Sequence, residues 1–215
     1  MAMTRSQEIA DALRLSLQRG VLTCGERLVE LTLSQEYQVS QNTIRDALHI
    51  LERDGWVKKF PRRGVYVLRF TTVEATEVYA LWRTVGGLAL GWAIDHWQDT
   101  DREHLHDILS RAERYLNAHD AFGASHMIHT LHTLIARYAQ AQRTLTILTR
   151  LQNQALLMEN YRMQCQGFSL DEWDTRIERL LDVLYEVDQQ DKLRAIQYYE
   201  RAIQYESELI MPYLD

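Results

Sequence analysis

Apolar residues Ile9, Leu13 and Leu17 recur every four positions and Gly20 follows as a stop, which predicts a helix from about Ser6 to Arg19. After the loop GVLTCGERL, a short helix near Thr32 to Tyr37 leads through QVS into the stretch Ser40 to Gly55. There Ile44, Ala47, Leu48 and Leu51 form one apolar face, with Ser40 as the capping residue. Past Gly55 the period shortens: WVKKF and VYVLRF are rich in β-branched and aromatic residues, and PRRG between them is turn chemistry, so a β-hairpin is predicted. Three helices and a hairpin in this order form a winged helix-turn-helix.

From Thr71 onward the pattern is helical throughout. Three hydroxyl residues stand three positions before a glutamate, Thr71 with Glu74, Thr100 with Glu103 and Ser169 with Glu172, each the signature of a capping box at a helix start. Further helices are predicted from about Asp120 to Gln140, Gln142 to Cys165 and Asp191 to Tyr213, giving about six in an antiparallel bundle. The fold class is therefore mainly α: a winged helix-turn-helix over residues 1–70, then an all-helical domain over 71–215.

Composition alters this picture in one respect. An apolar fraction of 46% with 25% charged residues is that of an ordinary globular protein. Residues 1–70 carry a net +3 and the remainder −9, together the −6 of the chain, so the two domains suit different partners. The first can approach a phosphate backbone; the second is repelled by one. Apolar runs such as VGGLALGWAI are too short to span a membrane and no apolar leader opens the chain, which points to the cytoplasm. Cys24 and Cys165 are far apart and lack CxxC spacing, so neither a disulfide framework nor a cysteine zinc site is indicated.

A helix that reads DNA presents donors and acceptors at its N-terminal end, which enters the major groove. Gln41, Arg45 and His49 share the face opposite Ile44 and Leu48. Arg45 can grip guanine or a phosphate, Gln41 and Asn42 can read base edges, and Ser40, Thr43 and the helix-start amides can hold a phosphate. Lys58, Lys59, Arg62 and Arg63 crowd around the hairpin turn, with Gly64 allowing close backbone approach.

These residues carry a resemblance. The loop G-x-L-x-x-G-x-x-L (Gly20, Leu22, Gly25, Leu28), the helix S-x-x-T-x-R-x-A-L-x-x-L (Ser40 to Leu51) and the wing R-G-x-x-V (Arg63 to Val67) resemble the DNA-binding domain of the GntR family of bacterial transcription regulators. The resemblance implies DNA contacts by Thr43 and Arg45 and wing contacts by Arg62, Arg63 and Gly64. Cys24 replaces a usual proline, and Gln41 a common arginine.

The helical segment resembles more loosely the effector domain of the FadR-like subgroup, called FCD, with Arg83 at a common arginine and Gly87 in place of a frequent glutamate. That implies a small-molecule effector, commonly an organic acid; Arg83 and Arg176 are able to fix an acid and, with His129 and His132, are the candidate contacts, and the leading expectation is a homodimer on a short palindromic operator. Many members of the subgroup bind a divalent metal. Here His132 matches one ligand, but Ile128, Ile177 and the region Tyr199 to Ala202 fall where the others belong, so that site is expected to be degraded and the sequence assigns no certain cofactor.

His126, His129 and His132 recur every three residues. A neighbouring pair such as His129 and His132 can chelate a transition metal, or the three can make hydrogen bonds in a core or pocket. A metal-dependent enzyme built on them is a rival reading, but the chain has no HExxH, glycine-rich phosphate loop or nucleophile elbow, and the expectation is that it is not an enzyme. A further alternative is a DNA-binding dimer whose helical domain has lost ligand sensing.

Overall fold

A computed structural model describes residues 3–167 and 169–214. Helix α1 (Arg5–Gln18) starts at Thr4, whose hydroxyl accepts from the Gln7 amide. Helices α2 (Glu30–Glu36) and α3 (Gln41–Arg53) make the helix-turn-helix, and strands β2 (Val57–Phe60) and β3 (Gly64–Val67) make the hairpin. Ile9, Leu13 and Leu17 of α1 meet Ile44, Leu48 and Leu51 of α3 over Trp56, Val65 and Val67, all buried. One element was not predicted: Arg27–Leu28 form a short strand, β1, antiparallel to β3 with Leu28 opposite Val65, so the sheet runs β1-β3-β2.

Among the described residues six α-helices follow, as expected: α4 (Thr72–His96), α5 (Asp99–Asn117), α6 (Ala121–Tyr138), α7 (Gln142–Gln166), α8 (Leu170–Asp188) and α9 (Lys192–Ile210). Helix α4 packs against α6, α7 and α9, while α5 lies on α6 and α8. Among the described residues no helix is long and apolar enough to cross a membrane.

The three expected capping boxes have different fates. Thr71 and Glu74 form theirs in full. At α5 the box is instead Gln98 with Asp101, because the chain turns helical directly after Trp97, which packs on Tyr138. Ser169 precedes α8 but makes no side-chain cap; Glu172 is drawn away by Arg162, whose Nη1 donates to it at 2.7 Å.

The two halves meet along α7. Helices α1 and α3 each end in a glycine at positive φ, Gly20 (+67°) and Gly55 (+82°). Glycine at such a position closes a helix without strain. A second reason applies here, since a Cβ at Gly20 would lie 2.4 Å from Phe122 and one at Gly55 2.5 Å from Arg150.

Three side-chain amides of α7 donate to carbonyls at these helix ends, one of which, Leu17, also accepts from the Gly20 amide at 3.1 Å. Asn160 Nδ2 donates to the Leu17 carbonyl at 2.8 Å, Asn153 Nδ2 to the Asp54 carbonyl at 2.8 Å, and Gln164 Nε2 to the Gly20 carbonyl at 2.8 Å. The Cys24 thiol adds a weak bond to the Leu157 carbonyl at 3.5 Å; burial pushes its pKa up to about 12, so it is an inert neutral donor. Asn160→Leu removes one buried hydrogen bond while the Leu17 carbonyl keeps the Gly20 amide, and should destabilise the protein by about 0.5–1.5 kcal/mol. Urea unfolding measures this, and an unchanged midpoint would contradict the capping role.

Candidate nucleic-acid interface and the helical-domain cavity

The N-terminal end of α3 is built as the sequence implied. Ser40 Oγ accepts from the Thr43 amide at 3.2 Å and lies 2.9 Å from its hydroxyl, which fixes the first turn. Gln41, Asn42, Arg45 and His49 are exposed and Thr43 is partly buried, while Ile44, Ala47 and Leu48 turn inward. Arg45 does not hang free: its Nε donates to Glu30 on α2 at 2.7 Å and its Nη1 to Asn42 at 3.0 Å. Such a brace restricts the guanidinium before any ligand arrives, lowering the entropy lost on contact. His49 lies 3.6 Å from Glu52, whose other oxygen accepts from the Lys59 amide at 2.9 Å. The end of the recognition helix is thereby tied to the wing strand.

In the wing, Lys58 and Lys59 are exposed on β2 and Arg62 and Arg63 on the turn. Phe60 and Tyr66 pack edge to face beneath them at 5.7 Å, Lys58 lies over the Phe60 ring at 5.5 Å, and Arg27 from β1 over Tyr66 at 6.0 Å. Gly64 has φ +103°, but the tight turn also needs positive φ at Arg62 (+62°), which the sequence did not signal. An L-residue in that region costs about 1–2 kcal/mol. Arg62→Gly should therefore raise stability slightly, by roughly 0.5–1 kcal/mol, while weakening binding to all DNA sequences and flattening its salt dependence by about one unit. Melting curves paired with salt titrations test both arms. Loss of stability, or an effect confined to one operator position, would refute it.

Of the residues expected to contact an effector, three come together. His129, His132 and Arg176 line a cavity of about 30 Å³ among α4, α6, α7, α8 and α9, with Tyr79, Trp82 and Glu206. Arg83 lies elsewhere, donating to Gln204 of α9 at 2.7 Å across an outer groove.

Sequence reasoning missed the carboxylates. Arg176 Nε donates to Glu206 at 2.8 Å, its Nη2 to the other Glu206 oxygen, and its Nη1 to Glu159 at 2.6 Å. Arg162 binds Glu159 through Nε and Nη2, both at 3.0 Å, and reaches Glu172. The Arg176 guanidinium also stacks 4.0 Å from the Trp173 ring centroid. Burial opposes ionisation of Glu159, yet the two guanidiniums hold it below the usual carboxylate range; burial dominates at Glu206 and raises it. The only sequence signal was charged residues falling on buried helix faces.

The histidines are neutral. His132 Nδ1 lies 3.2 Å from the Tyr199 hydroxyl and its ring meets Trp82 edge to face at 4.9 Å. Burial, with His129 and Arg176 nearby, pushes its pKa down to about 3, and burial likewise depresses His129. The unfolded chain thus binds more protons than the folded one between pH 6.5 and about 3, so stability falls as pH falls through that window. Each histidine should contribute a slope of up to about 1.4 kcal/mol per pH unit. Urea midpoints from pH 7 to 4 should flatten in His132→Phe; an unchanged slope would contradict this.

A divalent metal of the kind the subgroup resemblance implies does not fit. Ile128 lines the cavity where a carboxylate is needed, Tyr199 holds His132, and Glu159 and Glu206 are committed to guanidiniums. Among the described residues no three His, Cys, Asp or Glu side chains are grouped to hold a metal ion.

Known proteins match this arrangement. Residues 5–67 match the family of bacterial regulatory proteins named gntR. An uncharacterised HTH-type transcriptional regulator of Bacillus subtilis (strain 168), YdhC, is 28% identical over 107 residues, 50% of this chain and 48% of the relative. The chain thus aligns with about half the length of that curated protein. A crystal structure described as a GntR transcriptional regulator from Rhodococcus sp. RHA1 superposes with a TM-score of 0.82 at 22% identity, covering 97% of this chain and 98% of that one. The structure of E. coli McbR/YncC superposes with a TM-score of 0.83 at 16% identity over 94% and 95%. These structures share the fold along nearly the whole length, and residues 5–67, the winged helix-turn-helix, match the gntR family of bacterial regulatory proteins.

Proposed function

We propose that the protein is a cytoplasmic, ligand-responsive transcription regulator that binds a short palindromic operator as a homodimer. The observation that carries this reading is the exposed, braced Arg45 on the N-terminal half of α3 beside a wing with four exposed basic residues. In a dimer two such helices enter successive major grooves roughly 34 Å apart. Leu81, Leu88 and Trp92, exposed along one side of α4, support pairing of the helical domains. Helix α7 runs from the cavity wall to the ends of α1 and α3, so a ligand that moves it alters the placement of the recognition helix. A coupling on the order of 1–3 kcal/mol is typical of such control. Selection of bound sequences from random DNA should yield a two-fold symmetric motif; recovery of no motif would sink the reading.

One observation favours a second reading, in which the helical domain only dimerises. The cavity is only about 30 Å³, and Arg176, which lines it, is already held by two glutamates. Thermal stabilisation by any small molecule separates the two, since a ligand of the folded state raises stability by mass action. A flat response across a broad metabolite set favours the second. A metal-dependent enzyme is the least supported alternative, because the carboxylates beside the histidines, Glu159 and Glu206, are engaged by arginines.

A further inference from the structure

We propose that the helical-domain cavity receives a primary ammonium group, as free ammonium or the head of a small amine, rather than an acid. The inference rests on the reading of this cavity as an effector site.

Charge balance carries it. Arg162 is shared between Glu159 and Glu172, and Arg176 between Glu159 and Glu206. Burial raises Glu206, but when all three carboxylates are ionised they face two guanidiniums, a net charge of −1. No third basic side chain compensates: among the described lining residues there is no lysine, and His129 and His132 are held neutral. Only Glu172 is partly open to solvent; the other four groups are buried, so the imbalance is poorly screened.

An acid would add a second uncompensated negative charge. It would also have to evict Glu206 or Glu159, because Nε, Nη1 and Nη2 of Arg176 are all engaged. Either course carries the penalty of a buried unpaired carboxylate. A cation cancels the surplus instead.

The remaining wall suits a cation. Each oxygen of Glu206 accepts one bond from Arg176 and retains a lone pair. Neutral imidazoles carry an unprotonated nitrogen that accepts from N–H. The rings of Tyr79 and Trp82, 5.8 Å apart and inclined by 31°, supply electron-rich surface. Size agrees: about 30 Å³ admits one water-sized occupant, which ammonium is and an organic acid is not. A divalent metal is disfavoured by the missing donors already described.

The test uses the full-length protein, dialysed into sodium chloride. Thermal unfolding is followed as sodium is exchanged for ammonium, methylammonium or tetramethylammonium at constant ionic strength, and separately as chloride is exchanged for acetate. A saturable rise in Tm with ammonium and methylammonium only is expected, together with at least a tenfold loss of calorimetric affinity in Glu206→Gln. Stabilisation by acetate without ammonium, equal response to all cations, or none at all would overturn the proposal. Should Glu206→Gln fail to fold, nitrogen-15 ammonium added to native protein should give a bound resonance with slowed proton exchange, and its absence would count against the site. Gel shifts on selected operator fragments are run on the same preparations. Failure there removes the regulator reading while leaving ammonium binding to be judged alone, and the converse holds.

Discussion

Arg176→Met should lower the stability of the protein by about 3–5 kcal/mol, the usual cost of removing one partner from a buried ion pair. The arginine bridges Glu159 on α7 to Glu206 on α9, and all three are buried. Without it two buried carboxylates are left with one guanidinium fewer between them. For a chain of this length the melting temperature should fall on the order of 10 °C. A cycle with Glu206 separates charge from packing: the double variant Arg176→Met, Glu206→Leu should recover most of the loss, since Glu159 keeps Arg162. Urea unfolding monitored by Trp173 fluorescence reads both, because the guanidinium lies on that ring. A double variant no more stable than the single one would show that shape, not charge, holds the three helices.

Arg45→Ala should weaken binding to the selected operator by about 1–3 kcal/mol, roughly tenfold to a hundredfold, and relax preference at a single position in each half-site. Lys59→Ala should instead weaken all sequences similarly, through one lost phosphate contact. Glu30→Gln is informative because it keeps Arg45 but removes the anionic brace on its Nε. It should cost affinity by a smaller factor than Arg45→Ala while leaving the preferred sequence intact. Fluorescence anisotropy on operator and scrambled duplexes gives the comparison. Unchanged operator affinity in Arg45→Ala would refute its assignment as a base reader.

The parts of the fold legible in the sequence are those governed by local rules. The apolar stripe through Ile44, Leu48 and Leu51, the cap at Ser40 and the glycines after α1 and α3 depend on near neighbours, and all stand where the pattern implied. Strand β1 was invisible because two residues cannot display an alternation; its pairing is dictated by the hairpin lying beside it. The Ser169 cap failed for a tertiary reason, as Arg162 ten positions earlier claims Glu172.

The candidate interface on α3 and the wing could be anticipated because exposed polar residues there leave a surplus once the core face is assigned. The cavity was half legible. His129, His132 and Arg176 were singled out, but Glu159 and Glu206 come from α7 and α9 and meet Arg176 only through packing. Asn153 and Asn160 were overlooked on similar grounds: an asparagine on a long helix reads as a solvated position, and only the spacing of seven hints at a common face.

That spacing has a consequence for how the chain is made. Residue 70, just past the wing, is synthesised ninety residues before Asn160 and eighty-three before Asn153. At bacterial elongation rates of roughly 5–20 residues per second, the interval is on the order of 5–20 s. Throughout it α1 and α3 emerge with the Leu17 and Asp54 carbonyls unserved by the amides that later receive them. A nascent N-terminal domain paused at this stage is complete in sequence but unfinished at two helix ends. A truncated protein ending before α7 should inherit that condition permanently, showing early amide exchange in the last turns of α1 and α3.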